Sequence, residues 1–295
     1  MKSFLKNLMS RRSISERPMK VVFVASHPTN EGVRRRFPGV ASGLLALACC
    51  LALTFAASAQ QPTSEIIPSG NVWPYTTIVH LYTTWPDGQV FMDSGTMIDR
   101  FHVLTVAHAV YDHRHGGWAA QIDVYAGQSG ANKPFEVAYA TFFRAFPNYM
   151  DEDDTSETGC HSVGNGDIGL VTLDRPLGDE TGWLSYFFNN DDKFFEGRTF
   201  ATTGYPGGEA FGGQMVHQTG PLIGAMGGAP SFGTLQWSLD SMTSIPGQSG
   251  SCLIDPESGL IYGVLDLGDD QYGYGERITE DVFNTLNQWL DEDAA

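Results

Sequence analysis

Positive charge is what this 295-residue chain lacks most: 17 Lys and Arg stand against 34 Asp and Glu, a formal charge of −17. Nine of the 17 precede residue 60, where Glu16 and Glu31 are the only acids. From residue 60 onward, eight basic side chains face 32 acidic ones, a formal charge of −24. That balance speaks against nucleic acid, whose phosphate backbone is held by Lys and Arg. It also favours a soluble monomer that anionic membranes repel. Cysteine is scarce as well. Of four, Cys49 and Cys50 lie in the N-terminal segment. Cys160 and Cys252 remain, enough for one disulfide if the two meet and for two buried thiols if they do not.

Long apolar runs are limited to one, residues 40–55, too short for a comfortable membrane span. It follows Arg34, Arg35 and Arg36 and precedes Ala57-Ser58-Ala59. A basic region, an apolar run and an Ala-x-Ala site together read as a secretory signal peptide, residues 1–59, with cleavage after Ala59. An exported chain with no membrane attachment is the expectation. No internal repeat of 20–50 residues stands out, and helical periodicity is nearly absent.

What the chain does have is 34 Gly, 15 Pro and many short β-rich segments. Strands are expected over 76–82, 94–98, 121–126, 137–143, 168–173, 199–203, 234–239 and 260–265, a spacing that implies a sandwich or barrels. One helix is expected, at the end. Thr279 can cap it, and Val282, Phe283, Leu286, Trp289 and Leu290 form an apolar stripe at helical spacing. The acidic run Asp151-Glu152-Asp153-Asp154 reads as a solvated loop, with calcium binding as the alternative.

Three segments carry chemistry. Thr105-Val106-Ala107-His108 follows a short turn after an apolar strand. Gly166-Asp167-Ile168-Gly169 places an acid at the opening of another. Pro246-Gly247-Gln248-Ser249-Gly250-Ser251 sets a serine between glycines ahead of a third. Each alone is an ordinary turn. Their order, His then Asp then Ser, is that of chymotrypsin-type triads and differs from the orders of α/β-hydrolases and subtilisins. The Ser at 251 also breaks the Gly-x-Ser-x-Gly elbow of lipases.

On SGTMID, TVAHAV, GDIGLVTL, TTGYPGG, GQSGS and the final helix, residues 66–290 resemble the trypsin-like serine peptidase superfamily, and within it the bacterial glutamyl endopeptidase branch. The resemblance implies an all-β fold of two packed antiparallel barrels with a C-terminal helix. Residues 66–182 would form the first barrel with His108 and Asp167, and 183–295 the second with Ser249. It implies a secreted endopeptidase acting on polypeptides without a metal or organic cofactor. Ser249 would be the nucleophile, His108 its base and Asp167 the group orienting the imidazole. The N–H groups of Gly247 and Ser249 would form the oxyanion hole. The activity is expected to fall as pH drops through about 6–7, where a free imidazole protonates. A catalytically inactive homologue that binds protein is the alternative, although all three triad residues are present.

Gln248 stands where trypsin-type zymogens place an Asp, so activation through that buried ion pair is not expected. Glu65-Ile66 resembles the mature start of the glutamyl branch, making 60–65 a short propeptide. The specificity pocket would be walled by Thr243 and Ser244, by the strand 264–268 and by residues 275–278. Where the branch places a His, this chain has Leu265 or Asp266. Arg277 either holds a substrate carboxylate at the back of the pocket or pairs with one of the many surface acids. Ser244 matches a hydroxyl position with which the glutamyl branch holds a substrate carboxylate, and together with the first alternative and the Glu65-Ile66 junction it favours cleavage after Glu or Asp.

Overall fold

A computed structural model describes residues 63–152, 164–208, 210–229 and 232–294. The leader 1–59, residues 60–62 of the expected propeptide, Cys160 and the acids Asp153 and Asp154 lie outside them.

The first barrel is made from short strands whose alternate residues face inward, as a small closed barrel requires. Strand β1 (Thr63–Ile67) precedes it. The barrel itself begins with β2 (Ile78–Thr84), β3 (Val90–Met97) and β4 (His102–Thr105). A small hairpin of β5 (Tyr111–Asp112) and β6 (Gly117–Trp118) follows, then β7 (Gln121–Ala126), β8 (Ala138–Ala145), the short helix α1 (Pro147–Asp151) and β9 (Gly169–Leu173). Hydrogen bonding closes the ring in the order β2-β3-β4-β9-β8-β7. In β7 the alternation is plain: Ile122, Val124 and Ala126 are buried and their neighbours are not.

After α2 (Gly178–Thr181), the second barrel is built from β10 (Thr199–Gly204), β11 (Met215–Ala229), β12 (Phe232–Ser238), β13 (Cys252–Asp255), β14 (Leu260–Gly268) and β15 (Tyr272–Arg277). It closes because β11 is long: its first half pairs with β10 and its second half with β12. Strand β1 adds to the free side of β11, with Glu65 opposite His217. The two packed antiparallel barrels are the architecture expected from the sequence. Strand β11 is the longest element the sequence concealed, since MVHQTGPLIGAMGGA shows neither alternation nor a continuous apolar run; β4 and β15 also fall outside the expected ranges.

The C-terminal helix α3 (Glu280–Asp293) crosses back to the first barrel. Thr279 caps it by accepting the Val282 N–H, and Glu280 and Asp281 complement the dipole in the first turn. Val282 and Leu286 are buried in a core that also contains Val103, Ile168 and Leu170 of the first barrel. The far end carries Glu292 and Asp293, a sign the dipole disfavours. Arg144 binds both acids, and His102 and Thr172 also bond Asp293, which offsets that cost. Cys252 opens β13 inside the same core as a fully buried free thiol. Burial pushes that thiol up to about 12, which leaves it unreactive at neutral pH.

The barrels are joined by Ser94 of β3. Its hydroxyl donates to the Gly247 carbonyl (2.7 Å) and accepts the Tyr205 N–H (2.8 Å). Its N–H donates to the Ser249 carbonyl (2.8 Å), and its own carbonyl accepts the Thr105 hydroxyl (2.7 Å). Ser94→Ala would leave two buried backbone groups unpaired, each costing about 1–3 kcal/mol. The expected outcome is a loss of roughly 2–5 kcal/mol in denaturant unfolding. A loss under about 0.5 kcal/mol would show that the seam does not depend on this hydroxyl.

Candidate functional site

His108 sits in a 3-10 turn, Ala107–Ala109, directly after β4, with both flanking alanines fully buried. Asp167 directly precedes Ile168 and β9, which pairs with β4, so the two strands deliver their side chains to one place. The approach is close enough to require glycine: a Cβ on Gly169 would lie 2.5 Å from the Val106 carbonyl oxygen. Asp167 is completely buried. One oxygen accepts the His108 backbone N–H at 2.9 Å and the other accepts from His108 Nδ1 at 2.6 Å.

Ser249 lies on a tight turn whose shape depends on two glycines. Gly247 and Gly250 adopt φ of +93° and +84°. A Cβ on Gly247 would lie 2.6 Å from the Tyr205 carbonyl oxygen, and one on Gly250 only 2.1 Å from that of Ser94. The Gly207 N–H donates to the Pro246 carbonyl (2.7 Å), so the TTGYPGG segment braces the same turn. Gln248 is buried and its side-chain oxygen accepts from the Ile245 N–H and the Thr243 hydroxyl, an uncharged support inside the loop.

His108 and Ser249 open onto one cleft of about 520 Å³. The Ser249 hydroxyl donates to the main-chain carbonyl of Asp266 (3.2 Å) rather than to the imidazole expected from the sequence. Burial opposes protonation of His108, but the neighbouring Asp167, its hydrogen bond, Asp93 and Asp112 outweigh it and push the imidazole up to about 9. The surrounding acids thus favour a midpoint above the expected 6–7. Asp93, buried beside His108, is itself raised to about 6, first by burial and also by Asp167.

The expected pocket residues divide. Ser244 lines the cleft with Ile245 and Pro246, facing Leu267 and Gly268. Asp266 lines it too, but its carboxylate lies 3.8 Å from His108 Nδ1. Thr243 and Leu265 are not among the lining residues. Thr243 bonds Gln218, and Leu265 is buried in the core of the second barrel. Arg277 is a correction: it is turned away, onto Asp192 (2.6 Å), the Asn189 carbonyl and the face of Phe195. The Glu65–Ile66 bond lies within β1, where both side chains are exposed and Ile67 is buried.

Sequence reading passed over Glu276. It is nearly fully buried on β15 and accepts the N–H groups of Gly164 (2.7 Å) and Gly166 (3.3 Å), holding from the second barrel the loop that delivers Asp167. A lone acid within a strand offers no local signal for such a role. Burial, with Asp167 nearby, raises it to about 8 against the pull of those N–H groups. A carboxyl raised on folding contributes stability below its unfolded value of about 4.5 and loses that contribution as pH climbs through 8. Thermal melts from pH 4 to 9 should therefore decline less steeply for Glu276→Gln than for the wild type. Parallel curves would remove Glu276 as the source.

No protein-family model matches the chain. It is 27% identical over 244 residues to an extracellular metalloprotease of Bacillus subtilis, covering 79% of this chain and 71% of that protein. It is 25% identical over 237 residues to a glutamyl endopeptidase of Bacillus licheniformis, covering 76% of this chain and 66% of the relative. The solved structure of a Glu endopeptidase in complex with MPD superposes with a TM-score of 0.62 at 21% identity, over 76% of this chain and 95% of that one. The protease Anisep from Arthrobacter nicotinovorans does so at 0.57 and 16%, over 77% and 98%.

The first relative's name raises the question of a metal. Among the described residues, His108, Asp167 and Asp266 form the one cluster of suitable donors. Two donors on one zinc, at bonds of about 2.0–2.2 Å, stand roughly 3–3.5 Å apart. His108 Nδ1 and Asp167 are 2.6 Å apart, a hydrogen bond that needs a proton where a metal would sit. The donor set does not fit a metal. The chain has the chymotrypsin-like two-barrel fold and is similar in sequence to a glutamyl endopeptidase.

Proposed function

We propose that the chain is a secreted endopeptidase that cleaves polypeptides through an acyl-enzyme on Ser249. The observation that carries this reading is the 2.6 Å bond from His108 to the buried Asp167, on the same cleft as the serine turn. Asp167 fixes the imidazole with its proton on Nδ1, which leaves Nε2 as the base. A rotation about the Ser249 Cα–Cβ bond carries its hydroxyl from the Asp266 carbonyl towards Nε2. Such contacts commonly tighten only when substrate is bound. Transfer of the hydroxyl proton to His108 accompanies attack on the scissile carbonyl. The imidazolium then passes the proton to the leaving amine, and water repeats the sequence to release the acid.

The oxygen that becomes negative would lie against the N–H groups of Gly247 and Ser249, which no other group among the described residues takes up. Each such donor is worth roughly 10²–10³ in rate. The left-handed φ of Gly247 orients the first of them. Export by the leader, and removal of 60–65 after Glu65, belong to the same reading. The extracellular naming of one relative supports export.

Ser249→Ala should remain folded and lose roughly 10⁴–10⁶ in kcat on casein, and a fluorophosphonate probe should label the wild type alone. Retained proteolysis in a pure preparation would remove Ser249 from the mechanism. The acid limb of kcat/KM should have its midpoint well above the 6.5 of free imidazole, towards 9, since below it His108 holds the proton that blocks it as a base. A midpoint at or below 6.5 would contradict the electrostatics of the site.

Residue preference follows from the walls. Ser244 and backbone offer hydrogen bonds, but the ionisable groups lining the cleft besides His108 are the acids Asp93, Asp112 and Asp266 and the guanidinium of Arg114, which is paired with Asp112. With Arg277 turned away, a peptide library varied before the scissile bond should favour small or aliphatic residues. A clear preference for Glu or Asp would mean that Ser244 and backbone alone bind the acid.

A further inference from the structure

Strand β14 carries an irregularity at the site. Leu265 pairs with Gly275 and Leu267 with Tyr274, so Asp266 is an extra residue with no cross-strand partner in the ladder. A bulge re-aims a side chain. Here it turns the Asp266 carboxyl inward, where it is almost fully buried. Its Oδ1 lies 3.8 Å from His108 Nδ1, and one donor atom from each of Asp266, Asp167 and His108 falls within a 4.8 Å cluster.

Two buried carboxyls whose oxygens lie within 4.8 Å of each other disfavour joint ionisation near neutral pH, because neither water nor a second cation screens them. Which of them keeps the proton follows from their partners. Asp167 accepts from the imidazole at 2.6 Å and from a backbone N–H at 2.9 Å, both of which favour its charged form. Asp266 is farther from the imidazole. A hydrogen bond from Asp266 is also among the causes that hold Asp167 below the ordinary carboxylate range. The charged and titratable groups facing this pair are His108 from the turn after β4, Asp93 from β3, Glu276 from β15 behind Asp167 and, farther out, Asp112 with Arg114. Ser249 meets the Asp266 backbone.

We propose that Asp266 is held as a neutral carboxylic acid that donates its proton to Asp167, making it a positioning residue for the triad. Its side chain fixes the carboxylate that orients His108, while its main-chain carbonyl holds the Ser249 hydroxyl. One bulged residue thus sets both ends of the proton path. This rests on the endopeptidase reading above.

Full-length secreted protein carrying Asp266→Asn or Asp266→Leu tests it. The Asn amide can still donate to Asp167 and adds no charge. Its kcat should fall by less than about fivefold, and the acid limb should keep its midpoint. The Leu variant lacks the donor. Its kcat should fall about 10–100-fold with KM within about twofold, the pattern of a lost transition-state interaction. Proton NMR in the inactive Ser249→Ala background reads the same question without catalysis. The downfield resonance of the His108 Nδ1 proton should persist with Asn and shift or broaden with Leu.

A midpoint that drops by about one pH unit or more in Asp266→Asn would show an ionised Asp266 and overturn the proposal. So would full activity in Asp266→Leu, or an NMR signal indifferent to both changes. Should Asp266→Leu fail to fold, the Asn variant's midpoint and resonance decide alone. A wild type without proteolysis but with the expected NMR pattern would overturn the endopeptidase reading and leave the role of Asp266 standing.

Discussion

Everything at the cleft depends on how the hydroxyl and backbone of Ser94 join the two barrels. Its Oγ holds the Gly247 carbonyl and the Tyr205 N–H, and its N–H holds the Ser249 carbonyl. The serine turn therefore takes its position from the barrel that carries His108. The contact is tight enough that Gly250 has no room for a Cβ against the Ser94 carbonyl, and Gly204 none against the Ser94 and Ser251 hydroxyls. Small residues at this seam are a steric requirement of bringing two backbones to hydrogen-bond distance. Groups more than 100 residues apart along the chain are held there at hydrogen-bond distances of 2.7–2.8 Å.

The second constraint is electrostatic. One partly exposed imidazole is surrounded by Asp93, Asp167 and Asp266, with Asp112 beyond, and, among the described residues, by no cation of comparable proximity. Four ionised acids around one imidazolium would repel one another in a site poorly screened by water. The structure relieves this in three ways. Asp167 is stabilised as the anion by the imidazole and a backbone N–H. Asp112 is paired with Arg114. Asp93 is buried, and its affinity for a proton rises accordingly. Glu276 repeats the device one layer away, a buried acid that holds the Asp167 loop by its N–H groups. The excess of acids seen in the composition thus has a counterpart at the centre of the fold.

The cross-barrel helix shows the same logic in reverse. Acids at the end of α3 work against the helix dipole, and Arg144 and His102 on the first barrel turn that liability into an attachment. The order of elements in the chain is therefore closed on itself: the last helix of the sequence fastens the first barrel, while the second barrel supplies Ser249 between them.

Much of the site was legible in the sequence. The order of His108, Asp167 and Ser249, the strands that flank them and the capped final helix are local patterns, set by alternation, periodicity and turn chemistry within a few residues. The glycines at 247 and 250 were legible as turn residues, although their steric partners were not. Strand β11 escaped because its pairing with β10 and β12, rather than its own pattern, makes it a strand. The direction of Asp266 escaped because a bulge breaks the two-residue parity by which a strand assigns its faces. Arg277 and Glu276 are adjacent and alternate as parity demands, one towards Asp192 and the other towards the Asp167 loop. Which face meets the cleft is set by how the barrels dock, and no local pattern encodes that. The sequence by itself determined which groups could react; the tertiary structure alone decided which acids surround the histidine, because distances between residues remote in the chain arise only when both barrels have closed and packed.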